Sequence, residues 1–151
     1  MTSIHLVRHA EAGRAPDEER PLTADGHAQA ERVATHLAGA GVTRILSSRY
    51  QRCLDTVAPL ATALGLNVEI HDALCEEADL EDAWSLIESL DGTDSLICSH
   101  GNIIGPLLDR VLRRGAAIDA AEWSCHKASI WRLENDEDRP IARAVLVVSR
   151  A

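Results

Sequence analysis

Ile4-His5-Leu6-Val7-Arg8-His9 is the stretch on which the fold turns. Four mostly apolar residues that stop at a charged pair describe a strand buried in a sheet, with its carboxyl end emerging at the sheet's edge. Downstream, Thr23 can cap a helix that runs to about Leu37 and ends near Gly39 and Gly41. Arg44-Ile45-Leu46-Ser47 reads as a second strand, followed by a helix capped by Ser48 and extending to Leu64. Pro59 is expected to bend or split that helix, because an interior proline removes a hydrogen bond and crowds the preceding turn. Leu66 to Ile70 makes a third strand.

The pattern then repeats. Leu80, Ala83, Trp84 and Ile87 mark one face of a helix, and Asp94 to Cys98 forms a strand that runs into Ser99-His100-Gly101-Asn102. A further helix extends to Arg113 and Arg114 before Gly115, and Pro106 is tolerable there if it falls in the first turn. Ser129 to Leu133 and Ile141 to Val148 read as two strands joined by the turn Asn135 to Arg139. Strands that alternate with helices predict an α/β three-layer sandwich. Its central sheet is mainly parallel and flanked by helices, and a C-terminal strand pair completes it. At 151 residues and 46% hydrophobic content, one domain over 1–151 is expected.

Composition narrows the function. The formal net charge is -9, and Lys127 is the only lysine, so the cations are nearly all arginine. That balance argues against a nucleic-acid surface, which needs a broad basic patch. No apolar run approaches membrane-spanning length, so no membrane association is expected. Cys53, Cys75, Cys98 and Cys125 are widely spaced, which suits reduced thiols in a cytoplasmic protein. Between Cys53 and Asp109 there is no Lys or Arg but there are twelve carboxylates. An anion site in this acidic chain must therefore gather its cations locally, and the first third holds Arg8, Arg49 and Arg52.

In an open α/β sheet, ligands bind beyond the carboxyl ends of the strands. Those ends carry Arg8-His9, Ser47 to Arg52, and Ser99-His100. Guanidinium forks match phosphate oxygens, and an imidazole can attack phosphorus, so the rim suits a phosphoryl group. Helix N-termini near Ser48 and Gly101 would add N–H donors, with Ser47 and Ser48 as a cap and a phosphate-contacting hydroxyl. No G-x-S-x-G turn surrounds these serines, and no arginine stands six residues after Cys98, where Ile104 lies. These gaps argue against serine and cysteine nucleophiles. His5 and His9 share one face of the first strand, but Arg8 beside them disfavours a metal pair.

The same residues carry a family resemblance. Leu6-Val7-Arg8-His9-Ala10-Glu11 resembles the Arg-His signature of the histidine phosphatase superfamily, and Pro21-Leu22-Thr23-Ala24-Asp25-Gly26 resembles the motif that opens its first helix. Ser47-Ser48-Arg49-Tyr50-Gln51-Arg52-Cys53-Leu54-Asp55-Thr56 is similar to its second-arginine motif, and Cys98-Ser99-His100-Gly101 to its late histidine motif. All four follow the family's order. The resemblance implies that His9 becomes phosphorylated while Arg8, Arg52 and His100 hold the phosphoryl oxygens, with no metal or cofactor required. It further implies an acid to protonate the leaving oxygen. Glu76 is favoured for this role, with Glu77 and Asp79 as competitors, and Arg49 stands equally between the substrate and the surface.

Only about two dozen residues separate the third strand from the fourth, leaving little room for the substrate-covering insertion of the family's mutases. An open site that admits water favours hydrolysis. The expected partner is a phosphoprotein carrying phosphohistidine, or a small phosphorylated metabolite or nucleotide. The alternatives are a non-catalytic phosphate-binding module, a mutase-type phosphotransferase, and a metal-dependent hydrolase built on His5 and His9.

Overall fold

The structure, a computed structural model, describes residues 2–121 and 123–149. Its strands are β1 (Ser3–Arg8), β2 (Arg44–Ser47), β3 (Val68–Ile70), β4 (Ser95–Ser99), β5 (Ala117–Asp119), β6 (Ile130–Glu134) and β7 (Arg143–Val148). Its α-helices are α1 (Ala24–Leu37), α2 (Gln51–Leu64), α3 (Leu80–Ser89) and α4 (Gly101–Arg113).

One sheet runs in the order β3-β2-β4-β1-β6-β7-β5. The β3-β2, β2-β4 and β4-β1 pairs are parallel, β6 lies antiparallel to both β1 and β7, and β5 pairs parallel with β7. β4 is buried along its whole length, since it is covered on both faces. Alternation along each strand splits the interior into two cores. Leu6, Leu46, Ile97 and Trp131 pack against α3 and α4, while Val7, Ile45, Leu96 and Cys98 pack against α1 and α2. The three-layer sandwich is the expected one.

Register sets the functional edge. Arg8 pairs with Ser99 and Ser47 with Cys98, so β1, β2 and β4 end level with one another, and the residues that follow them emerge side by side.

Several elements differ from expectation. α2 is capped by Tyr50 rather than Ser48, whose hydroxyl instead accepts the Tyr50 N–H at 3.2 Å. α2 also runs unbroken through Pro59. Thr56, Val57, Leu60 and Ala61 on either side of the proline are buried, and this packing holds the helix across the missing hydrogen bond. Pro106 falls in the second turn of α4, on an exposed face with Asn102, whose carbonyl it leaves without a helical donor but within reach of water. β3 starts at Val68 because Leu66 is consumed in closing α2. Its N–H donates to the Ala61 carbonyl at 3.0 Å, while Gly65 adopts φ 67°. β5 was not foreseen. Its three exposed residues carry no apolar period and are strand only because β7 offers its edge.

Candidate active site

Each side chain at this edge has a local reason for its position. The His9 N–H donates to the Ser99 carbonyl at 3.0 Å, tying the end of β1 to the end of β4. One residue on, the Ala10 N–H donates to Thr56 Oγ1 at 2.8 Å, and the Thr56 hydroxyl donates to the Arg52 carbonyl at 2.6 Å. Thr56 thereby locks the loop after His9 to the first turn of α2, where Arg52 is based. Gly101 opens α4 against Arg8, and a Cβ there would stand 3.0 Å from Arg8 Cζ. Glycine at this position lets the guanidinium lie flat on the helix N-terminus.

The result is a cleft of about 510 Å³ lined by Arg8, His9, Arg20, Arg52, Glu76, His100, Gly101, Asn102, Cys125 and Lys127. His9 is 5% exposed, and its Nδ1 lies 2.8 Å from the Ala10 carbonyl. A carbonyl can only accept, so Nδ1 carries the proton and Nε2 keeps its lone pair. Burial holds the His9 pKa down to about 4, helped by Arg52, Arg8 and Lys127 against the pull of the Ala10 carbonyl. The ring is neutral at physiological pH.

His100 has the opposite tautomer. Arg52 Nη2 donates to its Nδ1 at 3.3 Å, so Nε2 bears the proton and donates to Ser48 Oγ at 2.9 Å. Burial, then Arg52 and His9, lowers its pKa to about 3. The two imidazoles lie edge to face with centroids 5.4 Å apart.

Arg52 is 2% exposed. Its Nη1 donates to the Asp17 carbonyl at 2.8 Å, and its Nη2 pairs with Glu76. Arg8 Nη1 donates to the Cys125 carbonyl at 2.7 Å. Both arginines keep a buried Nε without a protein partner. Unsatisfied buried donors of one sign in one cleft mark a place prepared for an anion.

Arg8, His9, Arg52, His100 and Glu76, expected to act together, are therefore brought into one cleft. Glu77 and Asp79 are not among the residues lining it. Glu77 accepts from Tyr50 Oη at 2.6 Å and pairs with Arg49, and these contacts hold its pKa down to about 2. Asp79 precedes α3. Arg49 is occupied by Glu18 at 2.6 Å, Asp72 at 3.3 Å and Glu77, outside the cleft. Ser47 and Ser48 do not line it either. The Ser47 hydroxyl donates to the Ser48 carbonyl at 2.9 Å and lies outside the cleft, and the hydroxyl of Ser48, expected as a cap, supports the His100 imidazole instead. His5 lies buried on β1, its pKa lowered by burial and Arg132. Among the described residues no three His, Cys, Asp or Glu side chains are grouped to share a metal ion.

Sequence reasoning missed Arg20, Asn102 and Lys127. Asn102 directly follows the late histidine motif, and its Nδ2 donates to the Glu76 carbonyl at 2.7 Å, steadying that segment. Lys127 carried one signal, as the only lysine in the chain.

A mainly parallel sheet presenting two neutral histidines and two arginines at its carboxyl edge defines an α/β protein with a cleft built to suit an anion. Comparison with known proteins makes the class specific. Residues 4–83 match the model of the histidine phosphatase superfamily (branch 1), and the chain belongs to that family. It is 30% identical, over an alignment of 157 positions, to the 8-oxo-(d)GTP phosphatase of Mycolicibacterium smegmatis, covering 97% of this chain and 44% of that protein. With the probable phosphoglycerate mutase GpmB of Shigella dysenteriae it shares 36% identity over 86 residues, 53% of this chain and 40% of that one. The chain thus spans less than half the length of either protein. Among solved structures, the putative phosphohistidine phosphatase SixA from Agrobacterium tumefaciens superposes with a TM-score of 0.75 at 26% identity, covering 89% of this chain and 92% of that one.

Proposed function

We propose that the chain is a single histidine-phosphatase-like domain that hydrolyses phosphate esters or phosphoramidates through a phosphohistidine on His9. The observation that carries this reading is the His9 tautomer. With Nδ1–H spent on the Ala10 carbonyl, the Nε2 lone pair of a neutral ring belongs to a cleft that also holds two guanidinium groups.

The substrate's phosphoryl oxygens settle on Arg8 and Arg52, and the dianion displaces the Glu76 carboxylate from Arg52 Nη2. His100, with its Nε2–H held by Ser48, donates to a third oxygen from Nδ1 once that nitrogen takes up a proton as the dianion arrives. Freed beside the leaving group and facing the dianion, the Glu76 carboxylate takes up a proton from water before the transfer. His9 Nε2 attacks phosphorus as the bond to the leaving atom breaks, and the leaving atom takes its proton from the Glu76 carboxylic acid. In the second step water attacks the phosphohistidine and gives a proton to the Glu76 carboxylate, releasing orthophosphate and restoring His9. No step calls on a metal.

Hydrolysis rather than mutase chemistry is supported by the connection between β3 and β4. That connection is used up by a single 3-10 turn, Asp72–Leu74, and by α3 packed on α4, which leaves the cleft uncovered. The substrate classes in view are a phosphohistidine protein, as the SixA likeness suggests, and a phosphorylated nucleotide or metabolite, as the 8-oxo-(d)GTP phosphatase likeness suggests.

His9→Ala should abolish p-nitrophenyl phosphate hydrolysis and the acid-labile phosphoryl label that the wild type acquires in rapid-quench experiments. Full turnover in that variant would end the proposal. Vanadate binding by the wild type without turnover of any monoester would instead identify a binding module.

A further inference from the structure

The cleft described above is flanked by a second concavity of about 290 Å³, lined by Arg8, Gln29, His126 and Lys127. Arg8 and Lys127 line both, so the two spaces are contiguous through a shared pair of cations.

Lys127 differs from the other cations here. Arg52 is engaged with Asp17 and Glu76, Arg8 with the Cys125 carbonyl, and Arg20 with the Gly13 carbonyl at 2.9 Å. The Lys127 ammonium has no hydrogen bond or ion pair among the described residues, in a chain with net charge -9 and carboxylates to spare. Its backbone, by contrast, is firmly held. Ala128, the next residue, is buried at φ 62°, a left-handed conformation that costs a non-glycine residue roughly 1 kcal/mol. The Ala128 N–H is shared between the carbonyls of Arg8 and His9, at 3.0 and 3.1 Å. Strained backbone fastened to the end of β1 thus delivers a cation, unpaired among the described residues, to the junction of two anion-sized spaces. Lys127 is close enough to contribute to the lowered His9 pKa.

We infer that Lys127 and the outer side of Arg8 form a second anion subsite adjoining the phosphoryl site, and that the chain prefers substrates in which the reacting phosphate is linked directly to another phosphate. The shared cations favour a diphosphate, because the two anions must sit close enough to be bridged by the same pair of side chains. This rests on the phosphoryl-site reading above, and it adds a substrate class: diphosphate esters over isolated monoesters.

Binding can test this without turnover. Orthophosphate, pyrophosphate and phosphoglycolate are titrated by calorimetry into the wild type, Lys127→Gln, Lys127→Arg and, as a net-charge control on the far end of α4, Arg113→Gln. Pyrophosphate is expected to bind the wild type at least about tenfold more tightly than orthophosphate, where tenfold corresponds to about 1.4 kcal/mol. Lys127→Gln should reduce that ratio to threefold or less, while Lys127→Arg and Arg113→Gln keep it. Equal binding by the wild type, or a ratio unchanged in Lys127→Gln, overturns the subsite. A preference for phosphoglycolate over pyrophosphate overturns the diphosphate in favour of a carboxylate. Failure to bind any of the three ligands would reject the phosphoryl site itself, which is a different result from a missing preference.

Discussion

At the scale of single residues, the site is a set of proton positions imposed by neighbours. An imidazole ordinarily titrates near 6.5, whereas burial brings His9 to about 4 and His100 to about 3. Between the folded and unfolded values the unfolded chain binds more protons. Stability is therefore unaffected above about pH 6.5, falls as pH drops toward 4, and levels once the folded rings are protonated. For His9 the loss is on the order of 3 kcal/mol. Urea midpoints measured from pH 7.5 to 4 should show this slope in the wild type and a shallower one in a His9→Gln/His100→Gln double variant; identical slopes would contradict it. The activity profile follows from the same ionisation. The acid limb of kcat/KM assigned to His9 should lie near pH 4, and a break near 6.5 would mean that the ring is not buried as described.

Thr56 shows how a residue without chemistry can govern those that have it. Thr56→Val keeps the shape but leaves the Ala10 N–H without an acceptor in a buried setting and frees the Arg52 carbonyl. A loss of about 1–3 kcal/mol in stability is expected, with a larger proportional fall in kcat/KM because the loop after His9 is no longer tied to α2. Thermal melts set beside steady-state kinetics would separate the two effects. The residues of this site were partly legible in the chain. Arg8, His9, Arg52 and His100 stand in recognisable motifs, and Glu76 was favoured as the acid. Thr56 was visible only as a motif threonine, since its partner Ala10 is 46 residues away.

Elements determine how closely these residues can approach. Two helix starts depend on a missing side chain. A Cβ on Gly26 would stand 2.0 Å from the Glu11 carbonyl oxygen, and one on Gly101 would stand 3.0 Å from Arg8 Cζ. The expected outcomes differ. Gly26→Ala meets backbone that cannot yield, so α1 must shift from the loop after His9, with a cost of roughly 1–3 kcal/mol that lowers Tm. Gly101→Ala meets the guanidinium of a movable side chain, so Tm should change little while KM for phosphate monoesters rises as Arg8 is displaced. Equal Tm losses in the two variants would refute the distinction. Elements were also where expectation and structure parted most. The proline at position 59 argued for a bend or a split, and the buried face of α2 kept the helix in one piece; Ser48 had the chemistry of a cap, but His100 claimed its hydroxyl. Local preference lost in both cases to contacts made by distant segments.

Over the whole molecule, the sheet is a partition between two cores that must form together. Leu96 and Ile97 are neighbours in β4, fully buried, and face opposite layers. Leu96→Ala and Ile97→Ala should each cost about 2–5 kcal/mol. Both should shift one cooperative transition, with fluorescence and far-UV circular dichroism curves coinciding. Separate transitions for the two sides would show that the layers fold independently.

The sequence by itself determined the alternation of strands and helices, the layered α/β class and the identity of four of the arginines and histidines, Arg8, His9, Arg52 and His100, that line the cleft. Apolar periodicity and short motifs are properties of neighbouring residues and need no third dimension to be read. Tertiary structure alone decided which carboxylate shares the cleft with Arg52, that Arg49 is spent on Glu18, Asp72 and Glu77, and that Lys127 lines the cleft beside Arg8. Each of these is a competition among like groups for the same partner. Strand register and loop packing settle such competitions, bringing together residues that the linear chain keeps far apart.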